Sequence, residues 1–230
     1  MPLSGSGVQR EPDEDYLGVA QYMPQQLMAS AVVLVAQQFN PSITGQHWLV
    51  RHGIVGAEDF LPGSVFTDAF AQVITARFNL LATPEQFQFV PRVVEEEQQE
   101  LIVDKVGTVI RTLPHTPYKA VGLNFSWHIA CEEGDVRRLS RALFFRPSSP
   151  LYHEFDVEDA NFGAYLSKDI MDFRLKLDVK PVTLGVDGNN EKRLQLLFNY
   201  HADIPEDAQA AEMIGGWGCW MGRGRIDTMS

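Results

Sequence analysis

Apolar and polar positions along the chain alternate with a period of two in several separate stretches, and with a period of about 3.6 in one long one. The clearest alternation runs from Ala120 to Cys131. Val121, Leu123, Phe125, Trp127, Ile129 and Cys131 share one side, while Ala120, Gly122, Asn124, Ser126, His128 and Ala130 share the other. This predicts a strand with a wholly apolar core face. Met171 to Val179 alternates likewise, with Met171, Phe173, Leu175, Leu177 and Val179 directed to the core and Asp172, Arg174, Lys176 and Asp178 to solvent. Gly188-Asn189-Asn190 predicts a turn, and Leu194, Leu196, Phe198 and Tyr200 the return strand.

Earlier in the chain, Ser30 to Phe39 is apolar on both faces until Gln37, as a central strand would be. Residues 46–52 read as a short helix with Gly53 as its left-handed stop, and Gly53 to Gly63 as loop. Val73 to Leu80 reads as one strand with Ile74, Ala76, Phe78 and Leu80 inward; Thr83-Pro84-Glu85 then joins it to a second strand, Gln86 to Val90. Glu95 to Leu113 is the clearest helix. Glu95, Glu96 and Glu97 complement the dipole of its first turn, and Ile102, Val106, Val109, Ile110 and Leu113 form one apolar stripe. A short helix is expected from Asp135 to Phe145 and a last one over 205–214, with Pro205 in its first turn.

The fold class this predicts is α+β: a largely antiparallel sheet with helices packed on one face. The order strand, short helix, two strands, long helix occurs in 29–117 and again in 118–214, a duplication of pattern without evident residue identity. Residues 1–28 are polar and acidic and read as a flexible arm, residues 29–214 as one domain, and residues 215–230 as a tail rich in Gly, Trp, Met and Arg.

Composition narrows the function classes. Apolar residues at 45% and charged residues at 21% suit a core that folds without a metal or disulfide staple. The formal charge of −11 repels phosphate backbones and acidic lipid surfaces, so neither nucleic acid nor membrane is expected as a partner. Two cysteines, Cys131 and Cys219, are too few for a disulfide scaffold, and the first residues lack the basic start and apolar stretch of a signal peptide. No apolar run approaches the roughly 20 residues of a membrane helix. These features together suggest a cytoplasmic protein.

Standard catalytic signatures are missing: no phosphate-binding Gly-Lys-Ser/Thr loop, no dinucleotide glycine fingerprint, no Gly-x-Ser-x-Gly elbow, no His-Glu-x-x-His, no Cys-x-x-Cys. Among the histidines, His47 and His52 diverge on a helix, whereas His201 and Asp203 would share a strand face, a spacing metals and hydrolases use. His153 and Asp156 are also close. Asn124, Ser126 and His128 form the polar face of the clearest strand and could receive a ligand, although Ser126 and His128 stand about 7 Å apart along it. In the tail, Trp217, Trp220, Met221 and Arg223 are residue types that anchor interfaces. Two other features read more simply: Glu95 to Glu100 as a solvated helical turn, and Arg223-Gly224-Arg225 as too short for RNA binding on an acidic chain.

The expectation is a non-catalytic protein acting through a protein partner or self-association, as an adaptor, regulator or assembly subunit, without cofactor or metal. The alternatives are a metal-assisted hydrolase using His201 and Asp203, and a small-ligand module using the Asn124 face.

Overall fold

The computed structural model describes residues 25–130, 136–186, 189–204 and 214. The expected arm before Gln25, the tail anchors Trp217, Trp220, Met221 and Arg223, both cysteines, and all but Ile214 of the expected last helix lie outside them. Among the described residues nine strands form one sheet: β1 Gln25–Ala36, β2 Val65–Phe66, β3 Ala71–Ile74, β4 Phe78–Ala82, β5 Gln86–Pro91, β6 Tyr118–Ala130, β7 Ala164–Ile170, β8 Phe173–Val186 and β9 Asn189–Asp203. Their order across the sheet is β2-β3-β4-β5-β1-β6-β9-β8-β7, and every pairing is antiparallel. Among the described residues the helices are α1 Gln46–Arg51, α2 Glu95–Thr112 and α3 Val136–Phe144, with a 3-10 turn at Pro150–Phe155. The protein is thus mixed α+β with a mostly antiparallel sheet. No described helix is long and apolar enough to cross a membrane.

The core is assembled from one parity of each strand. Val32 and Leu34 of β1, Phe87 and Phe89 of β5, Leu123, Phe125 and Trp127 of β6, and Leu196, Phe198 and Tyr200 of β9 are all buried. Ile102, Val106 and Val109 of α2 and Val136 and Leu139 of α3 belong to the same cluster, as do Leu49 of α1 and Ile214. One polar contact is set within it. The Ser30 hydroxyl of β1 donates to Gln98 Oε1 of α2 at 2.7 Å, and Gln98 Nε2 donates to the Val93 carbonyl at 3.2 Å.

β1, α1, β5, α2, β6, α3 and β9 follow the hydrophobic pattern closely, and Gly53 carries the expected left-handed φ of +64°. Four expectations change. The strand expected from Ser30 begins at Gln25, inside the expected arm. The single strand over Val73 to Leu80 is two, β3 and β4, folded back at Ala76-Arg77. Thr75 supplies the turn chemistry: its hydroxyl donates to the Phe78 carbonyl at 2.8 Å and accepts from the Phe78 amide at 2.9 Å. Ile74 therefore points away from the core, opposite to the parity predicted for it, while Ala71 and Val73 point in.

Met171, predicted inward, lies 65% exposed with a φ of +49° in the hairpin turn between β7 and β8. An apolar residue in a left-handed turn position carries no turn signal in sequence, so β7 was unreadable as a separate strand. Finally, Asn189 and Asn190 belong to β9 rather than to a turn, since Val186 pairs with Asn189.

Candidate functional site

The second parity of the strands forms a face of a different kind. Over β3, β4, β5, β1 and β9 its central side chains are half-buried and alternate with the core residues, while on β6 Asn124 and Ser126 are half-buried and Gly122 and His128 are buried. One row of cross-strand partners reads Gln72, Leu81, Gln88, Val33, Gly122 and His201. The next reads Ala31, Asn124 and Asn199, and a third Ala29, Ser126 and Leu197. Between Arg193 at one end of β9 and Asp203 at the other, these six strands place no Asp, Glu, Lys or Arg on this face. The residues are carboxamides, small aliphatics, one serine and two histidines. In a chain with 49 acidic and basic residues (30 Asp and Glu plus 19 Lys and Arg), that absence is a pattern to explain. On β8 the character changes at once: Arg174, Lys176, Asp178 and Lys180 occupy the same face, and Arg174 is ion-paired with Asp169 of β7 at 2.9 Å.

The expected ligand residues Asn124, Ser126 and His128 sit together here, and their partners come from β9. Asn199 Nδ2 donates to Asn124 Oδ1 at 2.6 Å. Gln195 Nε2 lies 3.4 Å from Ser126 Oγ and 3.1 Å from His128 Nε2. Because the Gln195 nitrogen donates, His128 Nε2 accepts, which places the ring proton on Nδ1. That nitrogen is buried without a hydrogen-bond partner among the described residues, and the whole residue is only 3% exposed. Burial, and then the positive charge of Arg193, hold the His128 pKa below its ordinary value, so the ring is a neutral imidazole at neutral pH. Arg193 itself donates to Gln26 Oε1 at 2.9 Å and to Glu191 at 2.8 Å.

Gln195 stands between Ser126 and His128, so the serine hydroxyl has no imidazole base to activate it. His201 and Asp203 do share a face, with Nε2 and Oδ1 3.6 Å apart, but their side chains are 42% and 95% exposed at a sheet end. Among the described residues no group of three His, Cys, Asp or Glu side chains is placed to hold a metal ion. Asp156, read as a neighbour of His153, is instead ion-paired with Arg141 of α3.

Sequence reasoning missed Gln195, Asn199 and Arg193. The signal was present in the outward parity of the return strand, Gln195, Leu197, Asn199 and His201, whose lack of charge contrasts with Arg174, Lys176 and Asp178 on the preceding strand. No protein-family model matches the chain, and no curated protein matches it.

Proposed function

We propose that the protein is non-catalytic and works by protein–protein contact, as an adaptor, regulator or assembly subunit, through the uncharged face of its sheet. The observation that carries this is the charge-free surface over six strands bordered by the charged residues of β8. Interfaces are built this way, with charge depleted at the centre and polar residues at the rim. Burying carboxamides that already bond one another, as Asn124 and Asn199 do, costs far less than burying charges. Six strands at about 4.8 Å spacing and roughly three side-chain steps per strand make a surface about 24 Å by 20 Å. Its projected area of about 480 Å² falls short of the ~800 Å² per partner of a standard interface, so the partner must also cover part of the charged β8 rim.

The strand order supports a finer reading of the fold. β1 pairs with the last strand of the meander β3-β4-β5, β6 pairs with the last strand of β7-β8-β9, and β1 and β6 pair with each other. We read these as two equivalent halves, each a strand, a short helix and a three-stranded meander, with the helices gathered on the core side. The face opposite is what such an arrangement leaves for a partner.

The test is Val33→Glu, which sets a carboxylate in the central row between Gln88 and Gly122. Partners are identified by native pulldown with mass spectrometry, and self-association by analytical ultracentrifugation. The reading expects the variant to fold normally and to lose association by tenfold or more in affinity, about 1.4 kcal/mol. Undiminished association of a normally folded variant removes the face from the interface.

A further inference from the structure

A cleft among the described residues carries a charge opposite to that of the chain. It lies between Val136 and Arg137 of α3 and the β8–β9 hairpin, has a volume of about 410 Å³, and its described lining includes the cations Arg137 and Lys192 and no carboxylate, the Lys180 side chain belonging to the opposite face of β8. That volume is within the range of small-molecule sites. Arg137 and Lys192 make no ion pair among the described residues. Lys192 is directly opposite Thr183 across the hairpin, and both line the cleft together with Asn161. The wall carrying Asn161 is held close: a Cβ added at Gly163 would stand 2.2 Å from the Val179 carbonyl oxygen, so the segment lies directly on β8.

We propose that this cleft binds a small phosphate-bearing molecule, held by Arg137 and Lys192 with the Thr183 hydroxyl and the Asn161 carboxamide as neutral donors. The donor count selects phosphate. A guanidinium, an ammonium, a hydroxyl and an amide offer more N–H and O–H groups than the two oxygens of one carboxylate take up, while a phosphate presents three or more acceptor oxygens. The formal charge of −11 makes the site specific to small ligands: a long polyanion would meet repulsion everywhere else, whereas a small one can enter between the two cations. In sequence, Glu132, Glu133 and Asp135 precede α3, outside the described residues, so the binding must be measured on the full chain.

Calorimetric titration of the full-length protein with pyrophosphate, and separately with acetate as a single carboxylate, tests it. The expected result is saturable pyrophosphate binding that is weakened at least tenfold by Arg137→Ala together with Lys192→Ala, with acetate clearly weaker. The same double variant must melt like the wild type without ligand, which separates loss of the site from loss of the fold; if it does not, Lys192→Gln alone replaces it, with threefold or greater weakening expected. Absence of pyrophosphate binding, binding indifferent to these substitutions, or tighter binding of acetate each overturns the proposal. Because the cleft and the uncharged face share no side chain, failure here leaves the interaction reading untouched.

Discussion

The Ser30–Gln98 contact ties the central strand β1 to helix α2 inside an otherwise apolar layer, and its removal can be worked through from both sides. Ser30 is 3% exposed and Gln98 7%, so neither side chain has water as an alternative partner. Ser30→Ala deletes the donor and leaves Gln98 Oε1 buried and unpaired, a loss of about 1–3 kcal/mol. For a chain of this size each kcal/mol lowers the melting temperature by about 2–4 °C, so the variant should melt about 2–12 °C below wild type. Gln98→Met also strands the Ser30 hydroxyl, although that group is smaller and still able to turn. The double variant, with both partners apolar, removes the orphaned atoms together, and only the bond from Gln98 Nε2 to the Val93 carbonyl is lost without compensation. The three variants and the wild type form a double-mutant cycle, read by urea denaturation. The double variant should be more stable than the sum of the single effects predicts, by about 0.5–3 kcal/mol. Strict additivity would refute the claim that the two side chains satisfy each other.

Three further outcomes follow from single residues. His128 is held neutral in the fold while its unfolded counterpart takes up a proton near pH 6.5, so the unfolded state binds more protons as pH falls below that value and stability drops; His128→Gln should flatten the fall in melting temperature between about pH 7 and 5, and an unchanged slope would show that His128 is not its source. Met171→Asn puts a residue that tolerates the left-handed region at a φ of +49° and removes a side chain 65% exposed, so thermal stability should rise by about 1 kcal/mol or less, and a fall would mean that Met171 makes a packing contact. Gly163→Ala forces the Val179 carbonyl or its own segment to move, at a cost of about 1–3 kcal/mol, whereas a melting temperature within a degree of wild type would show that the segment yields freely.

Much of the sheet was legible because one side of it is a strict apolar layer. Val121 through Ile129 and Leu194 through Tyr200 announce their strands and their faces, and Ile102, Val106 and Val109 their helix. The misreadings fall where the local signal is polar or contrary. Ala71–Ile74 and Phe78–Ala82 merge in sequence because Thr75 is β-branched and suits a strand as well as the turn it makes. Over Ala164–Ile170 the sequence offers no apolar alternation to read, because this edge strand buries none of its residues. Of the candidate site, Asn124, Ser126 and His128 could be grouped by parity alone. Their union with Gln195 and Asn199 needed the pairing of strands about 70 residues apart, which alternation does not encode. The cleft of Arg137 and Lys192 was invisible for the same reason, since it depends on where α3 lies against the hairpin.

The two edges of the sheet bear on how a partner can bind. An exposed edge invites strand addition, in which main-chain groups supply the affinity. One edge here is β2, only two residues long and so too short to template a strand. The other is β7, which carries Lys168 and the ion-paired Asp169, charges of the kind that blunt edge pairing. Both edges thus disfavour augmentation, while the broad face between them lacks the charges that would oppose docking. A partner laid across that face would leave the nine-stranded pairing intact and cover β1, β6 and β9 together. Backbone amides there are already bonded within the sheet, so the contact would be made by side chains: Val33, Val35 and Leu197 supplying apolar area, and the carboxamides fixing orientation. Affinity would then depend on shape and on a few central residues rather than on main-chain pairing, which is why one carboxylate at Val33 is a sufficient perturbation to decide whether this face is the one that binds.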